Sequence, residues 1–322
     1  MGKRTIGTIV ENHYLPDKRK RRRANTVDGY ESSLRLYVLP RFGGLEPHEI
    51  AREDVQDWVD GLVPIAGAGG AEKAYKCLRQ VIRWAMDRMG LYIVDPTRGI
   101  ELPRKAVYKP DVLTQRRLKR LIRGMVGCRY EATLIMSASL GLRPGECYAL
   151  SWSDVNWRSG SLWIRQTLQE TSEGVMLYPT KTAKSERECF LPAWALDRLH
   201  QIWVSLGRPR DRMIGTASPS KVASAIKRWI SSHRLPKVTM RNLRHTWGTI
   251  AASSGVTIQD CAAMMGHSNI QTCCRYYYAL TAAAARRAQR KVARRILGKT
   301  CEDMYKGIVL PIATVEIVPK AA

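Results

Sequence analysis

The chain has 322 residues and a net charge of +25, from 53 Lys and Arg against 28 Asp and Glu. That excess points to a polyanionic partner, nucleic acid before an anionic membrane surface, and no stretch approaches the roughly 20 apolar residues of a spanning helix. Residues 1–23 lack the apolar run of a secretory signal, Gly2 to Ile6 does not fit the myristoylation pattern, and eight cysteines without a C-x-x-C pair argue against a zinc finger and for reduced thiols in a cytosol.

Residues 1–25 read as a mobile basic arm. Lys18-Arg19-Lys20-Arg21-Arg22-Arg23 is a run of like charges that repel one another and stay extended. The run suits DNA phosphates; a solvated tail and a nuclear-import signal are its other readings. A helical block, 26–104, follows. Tyr30, Leu34, Tyr37 and Val38 form one helical face, stopped by Pro40 and turned at Phe42-Gly43-Gly44. Val55, Trp58, Val59 and Leu62 form a second face, and Ala66-Gly67-Ala68-Gly69-Gly70 predicts a flexible break. Leu78, Val81, Ile82, Ala85 and Met89 mark a longer helix that also carries Lys73, Lys76, Arg79 and Arg83, on a face that is either solvated or lines a DNA groove.

Prolines and charges around 102–110 predict a linker at 105–112. A second domain, 113–297, opens with Thr114 as a helix cap. Helices are expected over 115–126, 129–140, 144–151, 193–206, 219–232, 240–254, 257–265, 269–279 and 281–297. Short strands are expected at 161–164, 175–178 and 188–191. Residues 298–322 form a tail with apolar runs, suited to docking on a neighbouring subunit. The fold class is mainly α with a small antiparallel β-sheet, in two domains.

Breaking a phosphodiester without a metal requires cations on the non-bridging oxygens, a nucleophile, and an acid for the leaving oxygen. Arg143 stands in Gly141-Leu142-Arg143-Pro144-Gly145-Glu146, where Pro144 fits the first helical position and the helix N-terminus favours an anion. Glu146 can hold an arginine in place. Arg241, Arg244 and His245 cluster near the start of another helix, with Thr239 as its cap. His267 follows Gly266, which ends a helix, and Tyr276 lies nine residues beyond. Tyr276, Tyr277 and Tyr278 point about 100° apart on a helix, so one faces the phosphate and the others pack. Lys181, on a turn between two β-prone runs, can reach a leaving oxygen as a proton donor. Taken singly, these residues read equally well as surface charges, caps or packing.

In this order the segments resemble the catalytic domain of the tyrosine recombinases of the phage-integrase type. Arg143 matches the first arginine of that family, Lys181 (with Lys184 in reserve) its hairpin lysine, Arg244 its second arginine, His267 its Gly-His histidine and Tyr276 its nucleophile. A spacing one residue longer selects Tyr277. Residues 26–103 are similar to the family's helical core-binding domain. The resemblance implies a two-domain DNA clamp and a 3′-phosphotyrosyl intermediate, with no metal or nucleotide cofactor. It also implies double-stranded DNA as partner, a homotetramer on two DNA sites, accessory DNA-bending or directionality factors, and service to a phage or other mobile element. One departure stands out. Arg241 occupies the place of a histidine, and arginine cannot accept a proton at neutral pH. Activation would then pass to His267, a water or the phosphate. Two rivals follow: a DNA-binding protein that has lost catalysis, acting as repressor or architectural factor, and a topoisomerase-like nicking and closing enzyme.

Overall fold

The computed structural model describes residues 4–106, 110–180, 185–267, 269–277 and 289. The expected helix 281–297 (apart from Gln289), the tail 298–322 and the turn residues Lys181 and Lys184 lie outside them.

The N-terminal unit begins earlier than the sequence suggests. Helices α1 (Ile6–Ile9) and α2 (Leu15–Arg21) are joined by a π-helical turn, Val10–Tyr14. Ile6, Ile9, Val10 and Tyr14 are fully buried in the same core as Phe42, Val59 and Leu78. The mobile basic arm expected over 1–25 is therefore corrected: from Arg4 onward the segment is folded. Each apolar side chain buried there contributes about 1.5–3 kcal/mol, which outweighs repulsion among exposed charges. Carboxylates also sit among them. Asp17 accepts from Arg21 at 2.7 Å and from the Trp84 indole at 3.0 Å, and Arg19 pairs with Glu31.

Helix α3 (Ala24–Ser33) runs through a second π-helical turn, Leu34–Val38, into α4 (Leu39–Phe42). Pro40 does not stop this helix. It lies just after the wider turn, which closes with Leu39 N–H donating to the Leu34 carbonyl and is followed by α4. The α5 segment (Arg52–Met89) is two helical stretches that meet at a kink within the glycine-rich stretch. Pro64 lies inside it, and Gly67 takes φ 69°, ψ 165°. Arg52 donates to the Gly99 carbonyl, and Gln56 exchanges two hydrogen bonds with the backbone of Glu101, so the stretch that leads into the linker is strapped to α5.

The second unit is built around α7 (Glu131–Leu140), which buries all but one of its residues and so reads as a central core helix. Around it stand α6 (Gln115–Gly124), α8 (Pro144–Ala149), α9 (Ala193–Ser205), α10 (Pro219–Ser232), α11 (Met240–Ser253), α12 (Ile258–Met265) and α13 (Ile270–Tyr277). Thr114 and Thr239 cap α6 and α11, accepting from Arg117 N–H and Asn242 N–H. Strand β1 (Ser161–Ile164) pairs antiparallel with β4 (Arg187–Phe190), and β2 (Gln166–Thr171) with β3 (Gly174–Pro179). Strand β2 was not expected. It is polar except for buried Leu168 and carries no alternating signal. The tip of the β2–β3 hairpin meets the N-terminal unit: Asp28 on α3 accepts from Ser172 N–H at 3.0 Å and from its hydroxyl at 2.6 Å. Arg23 lies over the Tyr178 ring at 5.2 Å.

Candidate active site

Two tight turns and one helix end place the arginines. Gly141 closes α7 at φ 62°, and a Cβ there would stand 2.7 Å from the Trp247 ring. Arg143 then caps α8 in extended conformation, with Pro144 in the first turn. Its own N–H donates to Glu146 Oε2 at 2.9 Å, and its Nη1 to Glu146 Oε1 at 2.8 Å. Glu146 is 2% exposed. Burial alone would raise its carboxyl; hydrogen bonding to Arg187 and the charges of Arg187 and Arg143 outweigh this and hold it below the usual range.

Helix α12 ends at Gly266, φ 65°. Three successive carbonyls there each accept from a different arginine. Arg187 Nε reaches Met264 O at 2.8 Å, Arg244 Nη2 reaches Met265 O at 2.8 Å, and Arg143 Nη2 reaches Gly266 O at 2.6 Å. The negative end of a helix dipole favours such cations. Gly266 is required for this approach, since a Cβ would lie 2.7 Å from Arg187 Nη1 and 3.4 Å from Arg143 Nη1. Arg244, 6% exposed, also donates to the Gly141 carbonyl at 2.9 Å, so it bridges the ends of α7 and α12.

His267 follows directly, its Nδ1 2.9 Å from Cys273 Sγ on α13. Burial, then the charges of Arg244, Arg143 and Arg187, push its pKa down to about 3. Burial, followed by the Cys261 thiol, pushes Cys273 up to about 12. The imidazole is therefore neutral and the thiol protonated at pH 7, and a thiol donating to Nδ1 leaves the imidazole proton on Nε2. His245 is buried, and burial together with Arg241 and Arg244 lowers its pKa as well. Arg241 is exposed, one turn before Arg244 on α11.

The structure thus brings Arg143, Glu146, Arg244 and His267 together, with Arg241 and His245 alongside. Tyr276 lies within α13, which packs on α11 and α12; its side chain and that of Tyr277 lie outside the described residues, as do Tyr278 and Lys181. Among the basic candidates, Arg21, Arg22 and Arg23 line one cleft with Arg143, Glu146, Thr180 and Ser185. Lys18 lies over the Tyr14 ring at 4.9 Å. Lys76 pairs with Glu72 and Arg83 with Asp95, while Lys20 and Lys73 are exposed and Arg79 half-buried.

Sequence reasoning missed Arg187 and Cys273. For Arg187 a signal existed. Extending the third β-prone run back by one residue puts Arg187 on the same face as Cys189, and both are buried between exposed Glu188 and Phe190.

The structure of the Tn1549 transposon integrase in complex with transposon right end DNA is similar to this chain, with TM-score 0.76 and 15% identity, covering 90% of this chain and 99% of that one. A lambda integrase dimer bound to a COC′ core site gives TM-score 0.64 and 16% identity, over 84% and 95%. The architecture is that of the tyrosine recombinases. Residues 111–283 match the phage integrase family and residues 10–63 its N-terminal SAM-like domain, so the chain belongs to the phage integrase family, whose members are site-specific DNA recombinases. Among relatives, the integrase of Mycobacterium phage FRAT1 is 25% identical over 285 residues, 84% of this chain and 82% of that one. The tyrosine recombinase XerC-like protein of Caldanaerobacter subterraneus is 21% identical over 314 residues, 85% and 78%.

Proposed function

We propose that this chain integrates or excises a phage or other mobile element by transferring DNA strands through Tyr276. The observation that carries this reading is the gathering of three arginines on the last carbonyls of α12 against one buried carboxylate, Glu146. Carbonyls hold a guanidinium without cancelling its charge, so the cluster keeps a net positive charge and favours a phosphate.

The steps follow from these groups. The Tyr276 hydroxyl passes its proton to a water or to the phosphate itself as its oxygen attacks a backbone phosphorus in line, forming a 3′-phosphotyrosyl bond as the bond to the 5′ oxygen breaks. Arg143 and Arg244 hold the non-bridging oxygens as charge grows on them, with Arg241 at their edge. His267 donates from Nε2, and its depressed pKa keeps it a neutral donor. Lys181 protonates the departing 5′ oxygen. The 5′ hydroxyl of a partner strand then attacks the phosphotyrosyl bond and releases the tyrosine. Four protomers on two DNA sites complete the exchange through a Holliday junction, with accessory DNA-bending or directionality factors setting its sense. Arg21, Arg22 and Arg23 extend the phosphate-binding surface into the cleft that Arg143 lines.

The test is covalent trapping on nicked DNA taken from the sequence flanking the gene. The wild type forms an adduct that survives a denaturing gel, and Tyr276→Phe forms none. Loss in Tyr277→Phe alone moves the nucleophile by one residue. Tight DNA binding without any adduct in the wild type refutes the strand-transfer reading.

A further inference from the structure

Arg187 is 9% exposed and touches three separate parts of the site. Its Nη2 donates to Glu146 Oε2 at 2.9 Å, and its Nη1 approaches Oε1 at 3.4 Å. Its Nε donates to Met264 O at 2.8 Å, and Nη1 also donates to Ser185 O at 3.0 Å. Each of its three nitrogens is thus engaged within the protein, which leaves it poorly placed to grip a substrate. The groups it holds are the ones that hold the site. Glu146 carries the Arg143 guanidinium, Met264 belongs to the turn that presents His267, and Ser185 closes the segment that follows Lys181 in the chain. Its guanidinium lies close against Gly266, where an added Cβ would stand 2.7 Å from Nη1.

We propose that Arg187 is a positioning residue. It locks the Arg143–Glu146 pair, the Met264–Gly266 turn and the end of the lysine-bearing segment into one rigid unit, so that Arg143 and His267 meet the same phosphate. The inference rests on the proposed strand-transfer reading and adds to it a residue that acts only through others. A guanidinium is suited to the task because its planar fork spans a carboxylate and two carbonyls at once; an ammonium reaches these partners as a single point. Displacement of catalytic groups by about 1 Å lowers a rate by about 10²-fold.

The experiment compares wild type, Arg187→Lys, Arg187→Met, Glu146→Gln and the double variant Arg187→Met/Glu146→Gln. Three quantities are read: the single-turnover rate of adduct formation at saturating nicked DNA, the Kd for intact DNA, and Tm, with all rates taken well below each variant's Tm. The expected result is a rate loss of about 10²-fold for Arg187→Lys with Kd within about threefold of wild type. Arg187→Met loses at least as much, and the double variant is no slower than Arg187→Met, because the two residues act as one unit. A wild-type rate in Arg187→Lys overturns the proposal, as does a loss in every variant that follows Tm and disappears on cooling. A wild type that forms no adduct overturns the strand-transfer reading itself, and is distinguishable from both.

Discussion

The basic run Lys18–Arg23 and the arginine cluster at the end of α12 are both strongly cationic, and they are held in opposite ways. In the run, Arg21 and Arg19 rest on the carboxylates Asp17 and Glu31 at the surface. In the cluster, Arg143, Arg187 and Arg244 rest on main-chain carbonyls, with Glu146 shared between the first two. A carboxylate fixes an arginine and neutralises it. A carbonyl fixes it and leaves the charge intact for a ligand. Exposed pairs also contribute little, about 0–1 kcal/mol. On the proposed reading, the difference separates cations balanced by a partner carboxylate from cations whose charge is left for a phosphate.

The largest expected effect breaks the second class. Arg143→Ala and Arg244→Ala should each lower the rate of adduct formation at saturating DNA by about 10²–10³-fold or more, the usual consequence of losing one preorganised donor. Arg244→Lys should fall nearly as far, because one ammonium cannot span Gly141 O and Met265 O as the guanidinium does. Gly266→Ala comes next. It forces a side chain into left-handed backbone at a cost of about 1–2 kcal/mol and drives a methyl against Arg187. A lowered Tm and a slower rate should appear together, as calorimetry and the trapping assay would show. In the basic run, Arg22→Ala should leave the saturated rate unchanged. It should make DNA binding less salt-dependent, by about one unit of log–log slope in a titration. An unchanged slope would remove Arg22 from the phosphate contacts.

The smallest effect concerns acid stability. The folded chain holds His267 at a pKa of about 3, against 6.5 for an ordinary imidazole. The unfolded chain binds a proton there that the folded one refuses, so stability is lost as pH falls from about 6.5 toward 3. Glu146, depressed by its arginines, pulls in the same direction at lower pH. His267→Gln should flatten the decline of Tm between pH 6.5 and 5, read by calorimetry across that window.

Much of the second unit was legible. Its apolar faces repeat with helical period, and Thr114, Thr239 and Gly266 mark helix ends by their own chemistry. Arg143, Lys181, Arg244, His267 and Tyr276 were read as an ordered set; the structure brings Arg143, Arg244 and His267 together with Glu146 beside them, while Lys181 and the Tyr276 side chain lie outside the described residues. The N-terminal segment was misread because six consecutive charges dominate its appearance. The residues that fold it, Ile6, Ile9, Val10 and Tyr14, share a core with Val59 and Leu78, and Tyr14 meets Gln80 and Trp84, all far away in sequence. The two π-helical turns left no periodic trace, and β2 is too polar to announce itself. Arg187 was passed over because its role comes from a carboxylate 41 positions earlier and a carbonyl 77 positions later.

The cluster's hold on main-chain oxygens bears on how such a site can change over generations. A carbonyl is the same whichever residue carries it, so the three arginines are indifferent to the identity of side chain 264. Met264 is itself 48% exposed. That position is free to drift, and Met265 is restrained by its burial in a small apolar cluster and its contact with the Cys261 thiol. Gly266 has no such freedom, because it alone must let two guanidinium groups pass. Heritable variation at this helix end should therefore be wide at one residue, narrower at the next and closed at the third.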